Sequence, residues 1–357
     1  LERIKTALIG LDDVGSAYAK AILADKRFDL IAVGDPDDKL LRRTTESIPA
    51  QAYNDCRSLI VETSRDGLDW LFVALAPFRS LEFVHLAAQH GVGVFHKSPP
   101  ARNLDEAVKL VDRFDGCGCP LIVSRPWRFE PAFQTLTTIA ERIGWVYAAT
   151  AELRTTHDGR AGWRGDSERA GGGVLLNDAY AELDALVDLL GIPQQVGATC
   201  GYATTPGAAR PYDTEDTSIV SMQFGQGRIA GICAHRCAQD EHHRLALFGT
   251  EGNVQVLPDR LVITDRGADA GQTLRVRAKN RFAAELRALA DWHVQRAENP
   301  ERKHPSTGAD HLATLAVVQA AYLSARTGSP ESPDSFPQYA PRPQSAEPQR
   351  ESKADRQ

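Results

Sequence analysis

The chain has 357 residues, 42% of them hydrophobic and 25% charged, with a net charge of −6 at pH 7. That balance is ordinary for a globular chain of about two domains, and the absence of a basic stripe argues against a nucleic-acid groove. No apolar run approaches the roughly 20 residues that cross a bilayer, and LERIKTALIG has no signal-peptide core with a small-residue cleavage site. The six cysteines form no CxxC pair and no secreted disulfide framework. Free thiols and a cytoplasmic location are therefore expected. Cys233, His235 and Cys237 alternate along one strand face, with His242 and His243 following, but the spacing matches no standard zinc pattern and no metal is expected.

In chain order, residues 4–9 read as a buried strand, and GLDDVGSAYAKAIL turns from it into a helix with apolar residues at helical spacing. FDLIAVGD is a second strand ending on Asp35, and LDWLFVALAP, GVGVFHKSPP and CPLIVS supply further strands. SLEFVHLAAQH and NLDEAVKLVDRF are helical, the latter capped by Asn103. This alternation over residues 1–123 predicts a doubly wound parallel sheet, a Rossmann domain. From residue 124 to 327 the texture changes to long alternating strands with hairpin turns at 224–228 and 249–253, closed by two helices. The expected second domain is α+β with a mostly antiparallel sheet, for substrate binding and oligomer contacts. Residues 328–357 are rich in Pro, Ser and charge and poor in aliphatics, and are expected to be disordered.

The first βα turn carries Gly10, Asp12 and Gly15 at the positions of a Gly-x-Gly-x-x-Gly dinucleotide fingerprint. Asp35, 20 residues beyond Gly15, stands where an acidic residue accepts ribose hydroxyls and repels a 2′-phosphate, which favours NAD over NADP. Asp12 places a carboxylate where the pyrophosphate approaches. The expected cofactor contacts are Gly10, Asp12, Val14, Gly15 and Asp35, with Ala76 and Pro77 at the end of the LDWLFVALAP strand.

The segments TALIGLDDVG, DLIAVGDPD, DWLFVALAP, GVGVFHKSPPARNLDEA, RPWRFEPAF, GWRGDSERAGGGVLLNDAYAELDALVDLLG and FGTEGNVQV, in this order, resemble the glucose–fructose oxidoreductase / inositol dehydrogenase (Gfo/Idh/MocA) family. The resemblance spans about residues 3–327. It implies hydride transfer between a nicotinamide cofactor and a hydroxyl of a sugar, a cyclitol or a related small molecule. It also implies a homo-dimer or tetramer paired through the open face of the second sheet.

Three positions depart from the family's catalytic pattern. Its Glu-Lys-Pro segment aligns with Lys97, Ser98 and Pro99, so Ser98 replaces the lysine, and its Asp and His fall on Asn177 and Ala181. Neither Ser98 nor Ala181 replaces a general acid/base near neutral pH. Titratable groups lie one residue away, and the expected catalytic set is Lys97 helped by Tyr180 or Asp178, with Glu182 following Ala181. Arg128, His157, Trp163, Arg164 and Asn177 are the expected substrate contacts. The alternative is a catalytically inactive relative that binds a small molecule or partner on the same scaffold.

Overall fold

The computed structural model describes residues 2–46, 48–203, 211–277, 280–299 and 302–339. The first half runs β1 (Ile4–Ile9), α1 (Asp13–Ala24), β2 (Phe28–Gly34), α2 (Asp38–Thr45), β3 (Gln51–Tyr53), α3 (Cys56–Arg65), β4 (Trp70–Val73), α4 (Pro77–Gln89), β5 (Gly93–His96), α5 (Leu104–Cys117) and β6 (Leu121–Val123). Its six strands pair in parallel in the order β3-β2-β1-β4-β5-β6. Every residue of β4, β5 and β6 is buried, as a sheet covered by helices on both faces requires. Short polar side chains start the helices: the Asp12, Asp37, Asp55 and Asn103 oxygens accept first-turn N–H groups of α1, α2, α3 and α5. The strand order reverses between β1 and β4, so the crevice beyond their carboxyl ends is where a doubly wound sheet binds ligands.

The second half runs α6 (Pro126–Phe129), α7 (Pro131–Ile139), β7 (Val146–Arg154), α8 (Ser167–Ala170), α9 (Val174–Asn177), α10 (Tyr180–Leu190), β8 (Gln195–Gly201), β9 (Thr217–Gln223), β10 (Ile229–His235), β11 (His242–Gly249), β12 (Gly252–Leu257), β13 (Arg260–Asp265), β14 (Gln272–Arg275), α11 (Arg281–Glu298) and α12 (His311–Thr327). Its eight strands follow the order β14-β13-β12-β11-β7-β10-β9-β8, antiparallel except for the β7–β10 pair. Both expected hairpins form, β9–β10 and β11–β12. Alternation decides the faces: Val220, Met222, Ile232 and Ala234 turn inward, while Ile219 and Ile229 stand 59% and 55% exposed on the other face. α10 lies against β7 and β10, and α12 against β8.

Two features extend this plan. α11 crosses back onto the first half, where Leu286, Leu289 and Ala290 join the core cluster of Tyr18, Phe72 and Phe95. Order also continues past residue 327, against the expectation of a disordered tail from 328. Glu331 bridges to Val196, and Phe336 and Tyr339 are buried in the main core, because these two aromatics supply apolar area that the surrounding Pro/Ser composition hides. Residues 340–357 lie outside the described residues.

α11 brings a buried acid with it. Glu285 accepts hydrogen bonds from the Tyr18 hydroxyl (2.5 Å) and the Ser124 hydroxyl (3.0 Å), and burial pushes its carboxyl up to about 7 from an ordinary 4.5. A folded-state pKa raised above the unfolded one means that the folded state holds this proton more tightly. Its contribution is complete below the unfolded pKa and is lost as pH rises toward 7. A shift of this size corresponds to on the order of 3 kcal/mol. Glu285→Gln should therefore remove part of the stability lost between pH 5 and pH 8 in denaturant titrations, and an unchanged pH dependence would refute the assignment.

Candidate active-site cleft

The first wall of the cleft is the β1–α1 turn. Gly10 has φ +87°, and a Cβ there would sit 2.6 Å from the Leu75 nitrogen, so the turn presses against the end of β4 and only glycine fits. A Cβ on Gly15 would lie 1.9 Å from the Gly10 carbonyl oxygen, the close approach that the last glycine of a dinucleotide turn allows. Val14 is half-buried in the same helical turn. Ala76 and Pro77 form the N-terminus of α4 at the end of β4, with Ala76 as its N-cap residue. Asp35 is buried, with one carboxylate oxygen accepting from the Leu11 N–H (2.7 Å) and the other from the Asp37 N–H (2.8 Å). Each oxygen keeps a further lone pair for a hydroxyl.

Asp12 does not face the turn as an unopposed charge. One carboxylate oxygen caps α1 by accepting from the Gly15 N–H (3.0 Å), and the other accepts from the Lys97 ammonium (3.0 Å). Lys97 is 17% exposed at the end of β5. Burial lowers its pKa, and Asp12 opposes that shift. The neighbouring His96 is fully buried, bonds the Ser80 hydroxyl (2.9 Å) and is pushed down to about 4, which keeps it neutral.

The second wall comes from the segment between β7 and α10. Trp163 packs against Phe78 at the start of α4 (ring centroids 5.8 Å apart), which brings this segment over the carboxyl end of β4. The Arg164 guanidinium lies 4.6 Å above the Trp163 ring, and its Nε is enclosed without a hydrogen-bond partner. Its charge acts on both Lys97 and Asp178. Asp178 stands between α9 and α10, and its Oδ2 is likewise enclosed and without a partner. Burial raises the Asp178 pKa, against the pull of His157, Arg164 and Arg236. His157 itself is exposed.

Behind Asp178 stands a buried ion pair. Arg236 Nε donates to Asp216 (2.7 Å), both side chains are 0% exposed, and Arg236 also donates to the Thr214 hydroxyl (2.7 Å). Glu182, in the first turn of α10, accepts from His243 Nδ1 of β11 (2.8 Å), while its other oxygen is enclosed without a partner. That bond raises the His243 pKa. Sequence reasoning missed both pairs, since 61 residues separate Glu182 from His243 and 20 separate Asp216 from Arg236.

Three expected site residues are engaged elsewhere. Tyr180 is buried in the main core, its hydroxyl bonded to His311 Nδ1 (3.0 Å), and burial raises its pKa well above the ordinary value. Arg128 pairs with Asp188 of α10 and lies over the Trp127 ring, beside the Arg125–Asp184 pair that ties the two halves together. The Asn177 amide donates to the Gly172 carbonyl (2.7 Å) and so braces the glycine run. The structure thus brings together Asp12, Lys97, Trp163, Arg164, Asp178 and His157, and draws Tyr180 and Arg128 into packing.

Residues 4–125 match the profile described as oxidoreductase family, NAD-binding Rossmann fold, and residues 138–331 match its companion, the C-terminal alpha/beta domain. The chain belongs to the Gfo/Idh/MocA oxidoreductase family. D-apiose dehydrogenase of Paraburkholderia graminis is 26% identical over 351 residues, spanning 92% of this chain and 89% of that protein. Inositol 2-dehydrogenase of Rhizobium meliloti is 21% identical, spanning 90% and 96%. Among solved structures, an Agrobacterium radiobacter oxidoreductase in complex with NAD+, L-tartaric acid and magnesium superposes with a TM-score of 0.79 at 21% identity, covering 93% of this chain and 99% of that one. Levoglucosan dehydrogenase in complex with NADH and levoglucosan gives 0.80 at 18%, covering 93% and 99%. At these identities the structural likeness establishes the fold. For a Gfo/Idh/MocA protein, the β1–α1 turn fits a dinucleotide: Gly10 and Gly15 keep the close packing, Asp35 is anchored at the end of β2, and Lys97 balances the charge of Asp12.

Proposed function

We propose that this protein is an NAD-dependent dehydrogenase acting on a hydroxyl of a small, sugar-like molecule, with Asp178 as the group that takes the hydroxyl proton. The enclosed, unpartnered Oδ2 of Asp178 carries this reading. A carboxylate left without a hydrogen bond in a half-buried site is costly unless a ligand completes it. A carboxyl raised by burial is also closer to the pKa that a base needs near neutral pH. The nicotinamide, when bound, supplies the hydride acceptor. Asp35 and the Gly10–Gly15 turn hold the adenosine half of the dinucleotide, and the Asp35 carboxylate disfavours a 2′-phosphate, hence NAD over NADP. Arg164, Trp163 and His157 orient the substrate on the side opposite the turn. The test is NADH formation from NAD+ across a panel of polyols, sugars and sugar acids, with NADP+ in parallel.

In this reading Lys97 is the counter-ion of Asp12. Removing it leaves a carboxylate facing the cofactor phosphates, a like-charge contact of about 1–4 kcal/mol. Lys97→Met should raise the Kd for NADH roughly five-fold to several-hundred-fold. Asp12→Gly should tighten binding, and the double variant should resemble Asp12→Gly alone. Glycine is a tolerable cap, so helix α1 survives the change. Fluorescence titration of NADH against the four proteins checks this, and additive effects of the two substitutions would contradict it.

The open sheet face supports a homo-oligomer, with a second copy covering Ile219 and Ile229. Sedimentation velocity should show a dimer or tetramer, and a monomer at micromolar concentration would refute it.

A further inference from the structure

Several arginines around the cleft are neutralised within the chain. Arg160 and Arg169, on the same segment as Arg164, pair with Asp158 (2.7 Å) and Asp166 (3.3 Å). Arg102 pairs with Glu106, and Arg236 with Asp216. Lys97, across the cleft, pairs with Asp12. Arg164 has only the Trp163 ring beneath it, an enclosed Nε without a partner, and no carboxylate within ion-pair distance among the described residues. It is held in place by packing: Trp163 is braced by Phe78, and the Arg164 carbonyl accepts from the Thr214 hydroxyl (2.7 Å). A planar guanidinium fixed against a ring, with donors unused, is arranged to receive a carboxylate through paired hydrogen bonds. Its charge acts on both Asp178 and Lys97, the groups that face the cleft from its two walls.

We infer that the substrate is a hydroxy acid, a sugar acid or a similar polyhydroxy carboxylate, whose carboxylate docks on Arg164 while a hydroxyl reaches Asp178. The inference rests on the dehydrogenase reading for the second contact but not for the first. Neutral polyols can accept a hydrogen bond from Arg164 but offer it no charge, so they make only the weaker, neutral form of the contact. Cofactor phosphate is the competing occupant of Arg164. The separate NADH titration distinguishes the two, since a phosphate bound on Arg164 would make NADH affinity depend on that residue.

The test uses matched pairs that differ only in their terminal groups: D-gluconate against D-glucitol, and L-tartrate against L-threitol. Their binding to the whole protein is measured by calorimetry with NADH present, and NADH is titrated separately. At least one acid should bind about 10- to 100-fold more tightly than its alcohol partner, the usual weight of a charge-assisted contact. Arg164→Gln should abolish that preference, Arg164→Lys should keep part of it, and the Kd for NADH should be the same in all three proteins. Equal binding of acids and alcohols, no binding of either class, an intact preference in Arg164→Gln, or weakened NADH binding in that variant would each overturn the inference. Arg164-dependent binding of an acid without NADH formation from NAD+ would leave it standing and overturn the dehydrogenase reading instead.

Discussion

Arg236→Met is expected to lower the unfolding free energy by about 3–5 kcal/mol, the usual cost of breaking a fully buried ion pair from one side. Asp216 would then lose its charged partner with its side chain wholly enclosed, while still accepting from the Ala203 N–H (2.8 Å) and the Tyr212 hydroxyl. Asp216→Asn should cost a similar amount, because Arg236 would be left as the buried charge. Equilibrium unfolding in guanidinium measures both. The double variant Arg236→Met/Asp216→Asn should recover part of the loss, as expected of a pair whose members each suffer when alone. A single substitution costing under about 1 kcal/mol would mean that water reaches the pair, as it does in exposed ion pairs. The site depends on this pair too, since the Arg236 charge acts on Asp178.

Asp178→Asn is expected to leave the fold and NADH binding intact and to lower turnover by a factor on the order of 10²–10⁴, the usual worth of a positioned acid/base. The amide is isosteric, so packing around α9 and α10 is kept while the proton acceptor is lost. Alcohol oxidation in the wild-type protein should decline as pH falls through the raised Asp178 pKa, because the base is then protonated. Arg164 and His157 oppose the effect of burial on this carboxyl. Removing the Arg164 charge should therefore move the acid limb of the pH profile toward higher pH. Steady-state kinetics over a pH series reads both effects, and unchanged turnover in Asp178→Asn would remove Asp178 from the role.

Much of the architecture was legible from local pattern. Buried strands alternating with capped helices dictate a doubly wound sheet, and strict alternation such as Ile219 to Gln223 dictates a two-faced one. What stayed hidden depends on contacts distant in the chain. Asp12 and Lys97 are 85 residues apart, and each looks like a defect until the two are seen to meet. By its place in the sequence, next to the family's catalytic positions, Tyr180 reads as a usable phenol, yet a helical turn points it at His311 of α12. Asn177 holds the family's aspartate position but serves the glycine run. The segment at 329–339 is hidden by composition, because two aromatics suffice to fasten a Pro- and Ser-rich strip onto the core.

The most direct test is NADH formation from NAD+ by the wild-type protein and by Asp178→Asn, measured against the same panel of polyols, sugars and sugar acids after NADH binding to both has been established. A wild-type protein that reduces NAD+ with at least one hydroxy compound, and a variant that binds NADH equally but turns over at least a hundredfold more slowly, is the predicted result. A wild-type protein that binds NADH and transfers no hydride with any member of the panel would contradict it, and would leave a cofactor-binding scaffold without catalysis.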